Sequence, residues 1–335
     1  MGKPPDRGLS AATGMSERRR TCVRKVSVIG AGNVGATAAV LLAMRNIADV
    51  TVVDVVPDMP QGKMLDAVAA APLMRFDVAV TGSNDTAAIE GSDVVVNTAG
   101  LPRKPGMSRD DLLAKNADIA RGIASGVSKY AADSVVINVA NPLDAICEVL
   151  YRETGFPRER VLGMAGVLDS ARFRTFLAWE IGCSPVDVEA MVLGGHGDSM
   201  VPLVSSATVG GVPVTQLLGK EALDSIVERT RKAGAEVLGL LKTGSAFVSP
   251  AASVVEMVDA VLLDRDRLLP VSVRLAGEYG FDGLFLGVPA VLGAGGLKKV
   301  VEVGLSGDER AALSRSADSV RDLVSKLGPP HKSKA

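Results

Sequence analysis

Five short runs dominated by valine mark out the first 141 residues of this chain: KVSVIG (25–30), VTVVDV (50–55), DVAVTG (77–82), DVVVNTAG (93–100) and SVVINVAN (134–141). They are apolar almost throughout and lack the polar alternation of a half-solvated strand, so each predicts a strand covered on both faces. Helical segments lie between them. NVGATAAVLLAMRN (33–46) leaves the first strand, and RDDLLAKNADIARGIASGVSKYA (109–131) opens with acidic residues that suit a helix N-terminus. Strand alternating with helix predicts an α/β fold, a Rossmann-type doubly wound parallel sheet.

The second half changes character. VLDSARFRTFLAWEIG (167–182) reads as a helix, VEAMVLGG (188–195) as a strand, and LPVSVRLAGEYGFDGLFLGVPAVLG (269–293) as antiparallel strands turning at YGFDG. Near the end, Ser306 and Glu309 have the spacing of a capping box, and Gly328 marks the helix exit. The organisation expected is a disordered extension over 1–22, a dinucleotide-binding domain over 23–163, an α+β substrate domain over 164–328 and a polar tail over 329–335. Met15 is an alternative initiator.

The first strand runs directly into GAGNVG. Gly30, Gly32 and Gly35 have the GxGxxG spacing, with Ala31, Asn33 and Val34 between them. The first glycine permits a tight turn, the second lets a pyrophosphate approach the backbone, and the third lets helix and strand pack closely. Asp54 follows at the end of the second strand, about 20 residues on, where an acidic side chain accepts from ribose hydroxyls. Its charge repels a 2′-phosphate, so the pattern favours NAD over NADP.

Composition removes several function classes. A formal net charge of −1 and 3% aromatics offer neither a phosphate-binding field nor stacking platforms, so nucleic acid is not an expected partner. Cys22, Cys147 and Cys183 are widely spaced with no CxxC, which predicts neither a metal site nor a disulfide framework and fits a reducing cytoplasm. No apolar run reaches the roughly 18 residues of a membrane span.

Only two histidines occur, His196 and His331, and the second falls in the tail PPHKSKA. His196, within VLGGHGDSMVP, is therefore the candidate acid–base group near neutral pH. Upstream, GLPRKPGMSRDD (100–111) carries Arg103, Lys104 and Arg109, and LDSARFR places Asp169 and Arg172 three apart on one helix face. Alone, the first reads equally as a solvated basic loop and the second as a surface ion pair.

Together, GAGNVG, Asp54, GLPRKPGMSRDDLL, NVANPLD, LDSARF and GGHGDSMVPL resemble the lactate/malate dehydrogenase family, in order, from about residue 24 to about 327. More narrowly, the chain resembles the bacterial malate enzymes built on the lactate dehydrogenase plan. The resemblance implies that His196 is the acid–base catalyst, oriented by Asp169, and that Arg172 clamps the substrate C1 carboxylate. It implies that Arg109 polarises the C2 oxygen from a closing loop and that Asn141 bonds the substrate. The backbone of Val139, Ala140 and Asn141 and the side chain of Asn116 would line the cofactor side. Arg103 is the discriminating position, where lactate enzymes carry glutamine, and a small residue at Ala246 points the same way. The family further implies a small dicarboxylate substrate and a homotetramer or homodimer. The alternatives are a lactate or other 2-hydroxyacid dehydrogenase and a catalytically silent NAD-binding descendant.

Overall fold

The structure, a computed structural model, describes residues 24–102 and 109–328. Its first half alternates as expected: β1 (Lys25–Ile29), α1 (Asn33–Arg45), β2 (Asp49–Val53), α2 (Met59–Ala69), α3 (Ala71–Met74), β3 (Val80–Ser83) and β4 (Val94–Asn97). There follow α4 (Arg109–Tyr130), β5 (Val135–Asn138), α5 (Leu143–Thr154) and β6 (Val161–Gly163). The second half opens with α6 (Gly166–Ile181) and the short strands β7 (Val188–Glu189), β8 (Val192–Leu193), β9 (Val201–Pro202), β10 (Thr208–Val209) and β11 (Val212–Pro213). It closes with α7 (Val214–Leu217), α8 (Lys220–Leu241), α9 (Val248–Leu262), β12 (Arg267–Ala276), β13 (Asp282–Gly293), β14 (Gly296–Val300) and α10 (Gly307–Ser325).

One nine-stranded sheet organises both halves, in the order β14-β13-β12-β6-β5-β4-β1-β2-β3. From β3 to β6 every pairing is parallel. The valine-rich runs are what this requires: Val26, Val28, Val50, Val52, Val94, Val96 and Ile137 are buried, with helices over both faces. Strands β12, β13 and β14 extend the sheet antiparallel beyond β6. The turn between β12 and β13 falls at Gly277–Phe281, as YGFDG predicts. The capping box of α10 is complete: Ser306 Oγ accepts from the Glu309 N–H, and Glu309 Oε2 accepts from the Ser306 N–H.

Register places the carboxyl ends in one row. Val53 pairs with Ile29, Ile29 with Asn97, Asn97 with Asn138 and Asn138 with Gly163. The row continues antiparallel from Gly163 to Ser272 and from Ser272 to Gly287, and Gly287 bridges to Gly194. The dinucleotide loop and the segment carrying His196 are thus attached to the same line of residues across the sheet.

Three expected strands differ. The third begins only at Val80 rather than at 77, the Ala79 N–H before it being taken by the Asp49 side chain. The second ends at Val53, because the Asp54 carboxylate accepts from the Ala31 and Val56 N–H groups and draws the chain out of the ladder. The strand expected over 188–195 is divided: β7 pairs with β10, whereas β8 pairs with β9. Ser170 Oγ accepts the Val192 N–H, and Gly194 at φ +88° turns the chain toward Gly287.

Candidate active site

The dinucleotide loop has the shape its glycines predict. Gly30 sits at φ +104°, and a Cβ there would lie 2.6 Å from Thr98 Oγ1. At Gly35 a Cβ would fall 1.8 Å from the Gly30 carbonyl oxygen, so α1 can approach β1 this closely only with glycine. A Cβ built on Gly32 would meet nothing within 4 Å, and no side chain caps the α1 N-terminus. The first-turn N–H groups, from Asn33, Val34 and Gly35, therefore present an open anion cradle.

Asp54 Oδ2 accepts from the Ala31 N–H at 2.6 Å, and its Oδ1 accepts from Val56 at 2.9 Å. Each oxygen keeps a lone pair for a ribose hydroxyl. On the other side of the same residue, Lys63 Nζ donates to the Ala31 carbonyl at 2.7 Å. Lys63 went unremarked in the sequence because a lone lysine on an amphipathic helix has no signature. The open cradle, the uncapped helix and the half-buried carboxylate fit a dinucleotide.

Asn116 is buried on α4. Its Oδ1 accepts from the Leu101 N–H at 2.8 Å, and its Nδ2 donates to the Asn141 carbonyl at 2.6 Å. It ties the loop after β4 to the loop after β5. Val139 and Ala140 are buried in that second loop, Asn141 is exposed, and the Asn141–Pro142 peptide is cis. The loop is held from inside by Asn138, whose Nδ2 donates to the carbonyls of Ala140 and Leu143.

Across the rim, the first turn of α6 supplies Asp169, only 1% exposed. Its Oδ2 lies 2.8 Å from His196 Nδ1. With Nδ1–H donating to the carboxylate, Nε2 is the atom left to exchange a proton. Arg172, one turn along, is 3.5 Å from Asp169 Oδ1. Burial pulls His196 down, but the charge and hydrogen bond of Asp169, joined by the charge of Asp144, outweigh it. The imidazole ends above its ordinary value, although Arg172 opposes. Desolvation lowers Arg172 and Asp169 raises it, the net being downward.

The backbone under the imidazole is fixed at three points. The His196 N–H donates to Asp144 Oδ2 at 2.9 Å, the Gly195 N–H to Ser316 Oγ at 2.9 Å, and Gly194 bridges Gly287. A Cβ on Gly195 would press on Val320 Cγ2 at 2.6 Å, so the paired glycines let α10 lie against this loop. Sequence reasoning missed Asp144, Ser272 and Ser316. Asp144 stood inside NVANPLD, but its partners come from β12 and the histidine loop, far away in sequence.

Of the residues named from sequence, the structure gathers Gly30–Gly35, Asp54, Asn116 and Val139–Asn141 along one rim. It places His196, Asp169 and Arg172 together beside that rim. Arg103, Lys104, His331, Cys22 and the side chain of Arg109 lie outside the described residues; the Arg109 backbone starts α4. Among the described residues no cluster of His, Cys, Asp and Glu could hold a metal ion, and no helix is long and apolar enough to cross a membrane.

Comparison with known proteins agrees with this architecture. Residues 24–163 match the lactate/malate dehydrogenase NAD-binding domain, and residues 166–327 match the alpha/beta C-terminal domain of the same family. The malate dehydrogenase of Thermomicrobium roseum is 57% identical over 301 residues, covering 90% of this chain and 97% of that protein. That of Geotalea daltonii is 51% identical over 314 residues, covering 91% and 99%. Among solved structures, the malate dehydrogenase of Salinibacter ruber superimposes with a TM-score of 0.87 at 49% identity, covering 90% of this chain and 97% of that one. The lactate dehydrogenase of Cryptosporidium parvum, complexed with lactic acid and NAD, gives 0.89 at 41%, covering 92% and 100%. With both halves matched in register and the dinucleotide cradle intact, this chain belongs to the lactate/malate dehydrogenase family of NAD-dependent oxidoreductases.

Proposed function

We propose that the chain oxidises (S)-malate to oxaloacetate reversibly, with His196 as the proton acceptor and donor. The observation that carries the chemistry is the 2.8 Å contact between His196 Nδ1 and the buried Asp169 carboxylate, with Arg172 on the same helix. NAD, held by the Gly30–Gly35 cradle and Asp54, would supply the hydride acceptor for malate C2. His196 Nε2 takes the proton from the C2 hydroxyl as that hydride departs, and the imidazolium so formed rests on Asp169. In reverse, the imidazolium donates to the oxaloacetate C2 oxygen. Arg172 grips the C1 carboxylate in a bidentate fork. Arg109 stabilises the developing oxyanion, a role whose loss typically costs about 3–4 kcal/mol. Asn141 bonds the substrate.

Both malate and lactate enzymes share this fold, so the substrate reading rests on Arg103, whose guanidinium pairs with the second carboxylate, and on the malate dehydrogenases at 50% identity and above. Asp54 supports NAD over NADP. The cofactor and substrate halves divide near residue 163. Exposed apolar side chains on α2 and α3, Leu65 and Leu73 above all, support assembly with further copies, a homotetramer or homodimer. The cysteine pattern supports a cytoplasmic setting. The test is NADH oxidation by purified protein with oxaloacetate and, separately, with pyruvate. Turnover confined largely to oxaloacetate is expected; preference for pyruvate refutes the substrate reading, and silence in both refutes the chemistry.

A further inference from the structure

Asp144 is a buried carboxylate on the helix that follows the Asn141 loop. It is the second residue of α5 and fully enclosed, and it receives two hydrogen bonds: from Ser272 Oγ on β12 at 2.7 Å and from the His196 backbone N–H at 2.9 Å. The pocket is built for it. Gly163, on the strand below, carries no side chain; a Cβ there would lie 2.6 Å from Leu143, 2.8 Å from Cys147 Sγ and 2.9 Å from Ser272 Cβ. Asn97 Nδ2 donates to Asn138 Oδ1 at 2.9 Å, and Asn138 secures the turn from which Asp144 projects.

Neither donor needs a negative charge. A hydroxyl and a backbone N–H are neutral, and an amide oxygen would satisfy both. A buried carboxylate with neutral partners carries a desolvation cost that hydrogen bonds of this kind only partly offset. Among the described residues, the charged groups that act most on the histidine are Asp169 and Arg172 on α6 and Asp144 on α5, with the Cys147 thiol and Glu148 farther along α5. Arg172 already faces Asp169. His196 is the cationic group whose charge acts on Asp144.

We propose that Asp144 is a second positioning carboxylate of this site, clamping the backbone of His196 while Asp169 holds its ring, so that the imidazolium lies between two buried negative groups. The two roles are separable. The hydrogen bond fixes where the ring stands, and the charge sets how firmly it keeps a proton. Burial pushes the Asp144 carboxyl above the usual aspartate range, with Ser272 and the His196 N–H pulling it back. Cys147 behind it is pushed well up, first by burial and next by the charge of Asp144.

The inference rests on His196 being the proton carrier, but its test does not require turnover. His331→Gln leaves His196 as the sole histidine of the chain. Ring-labelled histidine NMR then follows one imidazole with pH, in this background and with Asp144→Asn added. The amide keeps an acceptor for the His196 N–H and can donate to Ser272, and only the charge is lost. The midpoint should move to lower pH in Asp144→Asn; an unmoved midpoint overturns the proposal. Asp144→Ala removes the clamp as well, and oxaloacetate turnover should fall about 10²-fold, the scale of a small misplacement, with NADH affinity unchanged. Asp144→Asn should recover most of that rate below its shifted midpoint. Full activity in Asp144→Ala refutes the clamp. If the parent turns over neither oxaloacetate nor pyruvate, the functional reading fails, while the titration still decides the place of Asp144.

Discussion

Replacing Asp169 by asparagine isolates the charge that His196 depends on. The amide is nearly isosteric, so the ring keeps its place; with its oxygen toward Nδ1–H the tautomer is kept, whereas with its NH2 toward Nδ1 the ring proton moves to Nε2 and the rate falls further. What disappears is the negative half of a 2.8 Å buried contact. A hydrogen bond to a charged group contributes about 1.5–3 kcal/mol, which corresponds to a loss of about 10- to 100-fold in oxaloacetate reduction. Arg172, 3.5 Å from the same carboxylate, also loses its partner, so the upper end of that range is the better expectation. The pH dependence gives the sign. Asp169 is the main group raising His196 against burial, so the imidazolium needed for reduction should disappear at lower pH in Asp169→Asn. The same linkage bears on folding: a raised histidine contributes stability present below its unfolded value and lost as pH rises through the folded one. Kinetics in both directions across pH, with NADH affinity measured separately, provide the assay. A variant with unchanged rates and an unmoved pH limb refutes His196 as the proton carrier.

Further expectations can be checked with single substitutions. Arg103→Gln should cut oxaloacetate turnover and raise pyruvate turnover, eroding a discrimination that an unpaired buried charge can set at roughly 10⁴; the ratio of kcat/KM values for the two substrates measures it. Asp54→Ala should narrow the preference for NADH over NADPH by about tenfold or more, the scale of a charged hydrogen bond, read from the two dissociation constants. Gly35→Ala forces a methyl into the Gly30 carbonyl oxygen; it should weaken NADH binding and lower stability by about 1–3 kcal/mol, measured by denaturant unfolding.

What the sequence made legible is what local chemistry dictates. The valine runs specify strands because both faces of β1, β2, β4 and β5 are covered. GAGNVG specifies a turn because a side chain at Gly30 or Gly35 would meet backbone or a hydroxyl. The same logic fails where a contact is assembled across the sheet. VEAMVLGG has the apolar character of one strand, yet Ser170 takes the Val192 N–H and the chain changes partners midway. The sequence motif made Asp144 visible and left its function hidden, because Ser272 and His196 approach it from 128 and 52 residues away.

The row from Val53 through Ile29, Asn97, Asn138, Gly163, Ser272 and Gly287 to Gly194 explains why these separated residues act together. The cofactor loop leaves this row beside Ile29, and the Asn141 loop leaves it beside Asn138. Gly194, two residues before His196, is attached at its far end. Asp144 closes the circuit, since it belongs to the helix that follows the Asn141 loop and bonds both Ser272 in the row and the histidine backbone beyond it. On the proposed reading, a hydride acceptor along one part of the row and His196 as proton carrier at the other would both be held by this one sheet. Hydride and proton transfer to one carbon and its oxygen require that kind of alignment, since misplacement by about 1 Å can cost about 10²-fold.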